Sequence, residues 1–228
     1  MNKILIIAAH PDDEVLGCGG TLLKHISNGD KVYVLYISEG TSGRHSKKNS
    51  KVLKKEILKR KEMAKKASKF ANFKIVDFLN LKNLELNNYP HNYLTNIIFQ
   101  NLKKIKPDTV YTHYEYDLNI DHYQTFLSTY IACRPNKDFR INKLLSFEIP
   151  SSTDWGIGSN GRVFKPNYFV DIKKFIKKKN FLLNCYKSEL RSNPHPRSLE
   201  NIQALSIMRG GLVGLNNAEA FLINKIIE

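Results

Sequence analysis

Apolar and polar positions divide this chain into short runs of two kinds. Residues 3–9 (Lys-Ile-Leu-Ile-Ile-Ala-Ala) are almost continuously apolar, the pattern of a central strand covered on both faces. Similar β-branched runs at residues 32–37, 74–79, 108–112, 144–147 and 168–170 predict further strands. Between them lie stretches with helical spacing. Thr21 to Ile26 reads as a helix ending near Asn28-Gly29-Asp30, and residues 52–71 as a long charged helix whose inner stripe is Leu53, Ile57, Met63, Ala64 and Ala67. Helices are also predicted over 92–104, from Asp121 to Ala132 (stopping before Arg134-Pro135), and from Ile172 to about Leu190. Residues 39–50 are polar and glycine-bearing, hence a loop, and 192–197 (Ser-Asn-Pro-His-Pro-Arg) form a proline-bounded one.

Strands alternating with helices predict an α/β fold, a Rossmann-like three-layer α/β/α sandwich with a mainly parallel sheet. The 228 residues carry no repeat or linker that would divide them, so one domain over 1–228 is expected. No apolar run approaches the length of a membrane span. The apolar start leads straight into Asp12-Asp13-Glu14 rather than a small-residue cleavage site, so it reads as a buried strand of a cytoplasmic protein. Cys18, Cys133 and Cys185 are odd in number, widely spaced and in no CxxC pair, which fits reduced thiols.

The formal net charge of +15 is spread as lysines along helices, the pattern of a solvated surface. No zinc finger, RNP motif or arginine-aromatic platform supports nucleic-acid binding. A basic surface would also suit an anionic substrate.

Chemistry is concentrated at two strand ends, where functional groups of open parallel sheets gather. The first strand runs into Ala9-His10-Pro11-Asp12-Asp13-Glu14. A helix cap would account for one of those carboxylates, but not for a histidine followed by three. Gly17-Cys18-Gly19-Gly20 does not have GxGxxG spacing, and the acids before it would repel a pyrophosphate; close helix packing is the simpler reading. The fourth strand runs into His113-Tyr114-Glu115-Tyr116-Asp117-Leu118-Asn119-Ile120-Asp121-His122. A His, Asp, His set would leave a tetrahedral zinc with one open position, as in catalytic sites.

These two segments resemble the PIG-L/LmbE-like family of N-acetylglucosaminyl deacetylases, whose hallmarks are Ala-His-Pro-Asp-Asp-Glu and a later Asp-x-(His or Asn)-x-Asp-His. The similarity extends through Arg60-Lys61-Glu62, Phe78-Leu79-Asn80-Leu81, Ser151 to Trp155, Lys165 to Ile172 and Pro194-His195-Pro196-Arg197. It implies a metal-dependent N-deacetylase with zinc on His10, Asp13 and His122 and with Asp12 as general base. It further implies an N-acetylated sugar as substrate, within a glycan, lipid-linked or nucleotide-linked precursor. Arg60 matches a family arginine at the substrate pocket. Asp121 is expected to hold the outer nitrogen of His122 or to cap a helix. Asn119 stands where many members carry an oxyanion-stabilising histidine, and His113 and His195 are candidates to replace it. Leu81-Lys82-Asn83 departs from a Pro-Asp pair common in relatives. A related amidase acting on another acyl group or a thiol-sugar conjugate, and a non-catalytic basic binding protein, are the alternatives. An oligomer is compatible with either.

Overall fold

In the computed structural model, which describes residues 1–44, 50–156 and 162–228, the first apolar run forms β1 (Lys3–Ala8) and its alternate side chains feed two cores. Ile4, Ile6 and Ala8 join one cluster with Leu22, Ala64, Leu182 and Ile202. Leu5 and Ile7 join another with Leu94, Ile98, Leu102 and Ala132. A strand that is apolar on both faces therefore dictates helices on both faces. On the first side lie α1 (Asp13–Ser27), α2 (Ser50–Ala71), α5 (Ile176–Cys185) and α6 (Leu199–Gly211). On the second lie α3 (His91–Ile105) and α4 (Ile120–Ala132). The expected three-layer sandwich is what forms.

The remaining strands are β2 (Lys31–Ser38), β3 (Lys74–Leu81), β4 (Thr109–His113), β5 (Lys143–Phe147), β6 (Tyr168–Asp171) and β7 (Ala218–Ile226). Their order is β3-β2-β1-β4-β5-β7-β6. All pairings from β3 through β5 are parallel, whereas β7 is antiparallel to both β5 and β6. The chain leaves β1 toward β2 and returns on its other side as β4, so the order reverses beside β1. That reversal opens a crevice at the carboxyl ends of β1 and β4. Among the described residues no helix is long and apolar enough to cross a membrane. Cys18, Cys133 and Cys185 are buried free thiols.

Several boundaries differ from the apolar pattern. The pattern predicts neither α6 nor β7. Helix α5 ends at Cys185 rather than Leu190, because the chain turns out of it at Tyr186, whose hydroxyl donates to Glu14 Oε1 at 2.6 Å. Of the expected loop over 39–50, residues 42–44 form a 3₁₀ turn, Ser50 opens α2, and 45–49 lie outside the described residues.

Helix α1 begins at Asp13, eight residues before the predicted start, and is interrupted at Cys18 (φ −148°, ψ 26°). The glycines around this kink serve packing, not phosphate binding. A Cβ on Gly17 would lie 2.4 Å from the Phe147 ring, and one on Gly20 2.7 Å from Ile172. The interruption frees backbone groups that a side chain from β7 takes up: Gly20 N–H and Thr21 N–H donate to the two Glu219 oxygens at 2.7 and 2.6 Å. Lys179 Nζ lies 2.8 Å from Glu219 Oε1, and both residues are buried.

Removing one member of such a pair strands the other in a dry site. Glu219→Ala is therefore expected to lower unfolding free energy by about 3–5 kcal/mol, read as a lower urea midpoint. An unchanged midpoint would show that the kink is held by packing alone.

Candidate metal centre and active site

Three candidate ligand atoms converge at the crevice. His10 follows β1, Asp13 opens α1, and His122 lies in the first turn of α4, so each is fixed by an element end. Asp13 Oδ2 lies 3.3 Å from His10 Nδ1 and 3.5 Å from His122 Nε2, and the two nitrogens are 3.3 Å apart. Ligand atoms on a tetrahedral zinc with bonds of about 2.0–2.1 Å sit about 3.3–3.4 Å from one another. The chemistry of the donors and their spacing thus both fit zinc. Asp13 Oδ1, buried, has no hydrogen-bond partner among the described residues. These three residues are also the ones that could share an ion among the described residues.

Each histidine is oriented from behind by a carboxylate, but the pairing differs from expectation. Asp121 does not hold His122. Its Oδ2 lies 3.0 Å from His10 Nε2, while it accepts Leu84 N–H at 2.7 Å and Leu86 N–H at 3.2 Å. His122 Nδ1 is held instead by Asp117 Oδ1 at 3.1 Å. Asp117 in turn accepts the Ser152 hydroxyl, the Thr153 hydroxyl at 2.6 Å and the Asn119 N–H at 2.8 Å. Such partners fix ring orientation and raise ligand basicity.

In the metal-free chain these carboxylates hold protons in place. Burial disfavours charge on His122, but Asp117 and then Asp13 outweigh it and push its pKa up to about 10. Burial works against ionisation of Asp117 too, yet His122 and the two hydroxyls hold its pKa at about 2. Glu14 moves the other way. Burial pushes its carboxyl up to about 7, although the Tyr186 hydroxyl and the Asp12 N–H, both donating to it, work in the other direction.

Asp12 sits beside the ligand triad in a strained backbone conformation (φ 137°, ψ −25°) that L-residues rarely adopt. Its N–H donates to Glu14 Oε2 at 3.0 Å. Two guanidinium groups face the same Asp12 oxygen, Arg60 Nη2 and Arg197 Nη1, each at 3.4 Å. Arg60 occupies a buried position on the inner stripe of α2 and also pairs with Glu189. It packs under Gly40, whose positive φ of 75° leaves room; a Cβ there would lie 3.2 Å from that of His10 and 3.4 Å from Arg60. Arg60 is thus a buried partner of Asp12. Arg197 was legible only as the end of Pro194-His195-Pro196-Arg197; its anchoring to Pro150 O and Ser151 Oγ, at 3.2 and 2.8 Å, needed the fold.

The three oxyanion candidates go to different places. Asn119 is the N-cap of α4, its Oδ1 accepting Asp121 N–H at 2.9 Å. His113 is wholly buried behind His122, with ring centroids 4.0 Å apart, and its Nε2 accepts Ala9 N–H at 2.8 Å. Burial, followed by the charge of His122, holds it well below the usual imidazole range. It is a neutral residue of the scaffold. His195 is the one that stays half-exposed. Its Nδ1 accepts Arg197 N–H at 3.0 Å, which leaves Nε2 carrying the proton in the neutral ring. Burial and the charges of Arg191 and Arg197 lower its pKa, favouring that form.

Comparison with known proteins places the chain in a family and a fold. A family model described as "PIG-L: GlcNAc-PI de-N-acetylase" matches residues 5–133, more than half of the chain. An uncharacterized deacetylase of Escherichia coli K12, YaiS, is 28% identical over 176 residues, covering 75% of this chain and 82% of its own. The N,N'-diacetylchitobiose deacetylase of Pyrococcus horikoshii superposes with a TM-score of 0.76 at 21% identity, over 97% of this chain and 83% of its own. GalB, a 4-carboxy-2-hydroxymuconate hydratase from Pseudomonas putida KT2440, superposes with a TM-score of 0.78 at 19% identity, over 100% and 99%. A hydratase shares this fold, so the fold by itself does not choose the reaction.

The Asp117–His122 pair gives a signed pH prediction for chelated, metal-free protein. Its contribution is fully present above 3.8, where unfolded Asp is ionised, and below 6.5, where unfolded His is protonated. Wild type should exceed Asp117→Asn in stability by the widest margin in that window. The margin should close as pH falls toward about 2 and as it rises toward about 10. A margin independent of pH, measured by urea unfolding, would show that the pair is not ionised as described.

Proposed function

This chain belongs to the PIG-L, or GlcNAc-PI de-N-acetylase, family, and from that premise we propose that it is a zinc-dependent hydrolase that removes the acetyl group from an N-acetylated amino sugar. The observation that carries the reading is the mutual spacing of His10 Nδ1, Asp13 Oδ2 and His122 Nε2, with the Asp12 carboxylate next in sequence to Asp13 and held by two arginines.

A zinc ion in that set would supply Lewis-acid polarisation of the amide carbonyl and a water acidified to near neutrality. Asp12 takes the proton from the attacking water and returns it to the leaving amine nitrogen, which allows the C–N bond to break. Arg60 and Arg197 aim its carboxylate, and Glu14 holds its strained backbone through the Asp12 N–H. The Nε2–H of His195, on the same loop as Arg197, supplies a neutral donor for the carbonyl oxygen as negative charge develops there. His113 takes no direct part, because it is wholly buried and its Nε2 accepts Ala9 N–H; Asn119 serves as the cap of α4 through its Oδ1. The substrate is an N-acetylated sugar reached from solvent, and the basic surface favours one carrying negative charge elsewhere in the molecule.

Metal analysis separates the roles. Purified wild type and Asp12→Ala should hold zinc in equal amount, while His122→Ala should lose most of it. Amine release from N-acetylated sugars should fall roughly 10²–10⁴-fold in Asp12→Ala, the range for loss of a general acid–base group. Wild type that takes up no metal from zinc-replete buffer would sink the reading.

A further inference from the structure

A second cleft, of about 440 Å³, opens directly outside the metal centre, and nothing in the proposed chemistry uses it. That volume lies within the range of small-ligand pockets, about 300–1,000 Å³. Its lining includes Tyr116, Leu118, Tyr123, Trp155 and Arg162 together with Asp117, the residue that holds His122. The two sites are therefore one side chain apart.

The aromatic side chains here are presented to solvent. Trp155 is 52% exposed, Tyr123 36% and Leu118 63%, a concentration of apolar surface that a soluble chain seldom leaves open without use. Trp155 is also held in place. It sits in the short turn Asp154–Gly156, next to Ser152 and Thr153, whose hydroxyls both donate to Asp117. Thr153 Oγ1 further accepts Ile149 N–H at 2.8 Å. The indole meets the His195 ring edge-on, with centroids 5.4 Å apart, so it borders the residue assigned to the reacting carbonyl.

We propose that this cleft is a second sugar subsite, in which the exposed face of Trp155 stacks on a pyranose ring linked to the acetamido sugar at the metal centre. The preferred substrate is then a disaccharide or longer glycan rather than a free N-acetylated monosaccharide. This deepens the de-N-acetylase reading and rests on it. Aromatic faces beside planar polar groups suit a pyranose, whose C–H face is apolar while its hydroxyls point outward. Glu115, Tyr116 and Arg162 supply the polar groups. A nucleoside diphosphate fits less well, because the Glu115 carboxylate lines the cleft and the Arg162 guanidinium already lies over the Tyr116 ring at 4.4 Å.

Trp155 is the only tryptophan of the chain, so indole emission reports on this cleft alone. Zinc-loaded wild type is titrated with N,N'-diacetylchitobiose, with chitobiose, which has no acetyl group to hydrolyse, with N-acetylglucosamine and with UDP-N-acetylglucosamine. Both disaccharides should shift the emission saturably, and the monosaccharide should need roughly tenfold more. In turnover, Trp155→Ala should lose roughly tenfold in kcat/KM for the disaccharide and under twofold for the monosaccharide, with Trp155→Phe largely restoring it; loss of an aromatic face is worth about that much.

Emission unmoved by either disaccharide, or equal losses on mono- and disaccharide, would overturn the subsite. A stronger response to the nucleotide sugar would overturn it in favour of a nucleotide. If the disaccharides shift the emission but no substrate is deacetylated, the subsite stands and the proposed reaction fails.

Discussion

Five carboxylates, those of Asp12, Asp13, Glu14, Asp117 and Asp121, are buried around one crevice, and the rest of the site is arranged to answer them. A buried ionised carboxylate is costly unless paired or hydrogen-bonded. Asp121 has two backbone N–H groups and His10; Asp117 has two hydroxyls, a backbone N–H and His122. Asp12 has two guanidinium groups. Glu14 meets the same problem partly through a carboxyl that burial raises to about 7 and partly through the Tyr186 hydroxyl and Asp12 N–H that donate to it. Among the fully buried carboxylate oxygens of the described residues, Asp13 Oδ1 is the one with no hydrogen-bond partner, and Asp13 lies at the centre of the candidate ligand set. A divalent cation would answer that remaining charge, so the electrostatics and the spacing of the candidate ligands favour the same proposal.

The support for this arrangement reaches across the sheet. The first turn of α1 carries Asp13 and Glu14, and the helix breaks its regular path a little further on, at Cys18. That break is tolerated because Glu219, brought in by the antiparallel β7, takes up the backbone groups it leaves. Lys179 of α5 completes the charge balance. A strand remote in sequence thus contributes to where Asp13, a proposed metal ligand, sits, through a hydrogen-bonded helix rather than by contact.

Much of this was legible in the sequence, and the failures have physical causes. The apolar run of β1 and the clusters after β1 and β4 mark the crevice, because buried parallel strands leave a plain pattern and deliver side chains at their ends. The start of α1 is hidden because its acidic first turn and glycine-rich middle mimic a loop; acids at a helix N-terminus are favourable, but their ligand role dominates the pattern. Arg60 falls in step with Ala64 and Ala67, so a helical count would have placed it on the buried face of α2. The exchange of partners between Asp117 and Asp121 is different in kind. Both precede His122 closely, and only the N-cap at Asn119 and the backbone of Leu84 and Leu86 turn Asp121 toward His10. No local spacing encodes that. Arg197 likewise becomes a neighbour of Asp12 through a contact spanning most of the chain.

The proposed metal centre and the proposed sugar cleft draw on different parts of the chain, and this bears on how one fold hosts several reactions. His10, Asp12, Asp13, Asp117, Asp121 and His122 all lie within residues 5–133, the portion that matches the family model. Trp155, His195 and Arg197 lie beyond it, on the connections after β5 and α5. The parallel half of the sheet must keep its geometry to hold ligand atoms a few tenths of an ångström from their ideal spacing, so it tolerates little change. The connecting segments are anchored at a few points, such as the hydroxyls on Asp117 and the Arg197 contacts to Pro150 and Ser151, and otherwise face solvent. They can change what stacks, donates or clashes at the crevice without disturbing the ligands. A hydratase and a deacetylase share this fold, which is compatible with such a division between a shared scaffold and variable connecting segments.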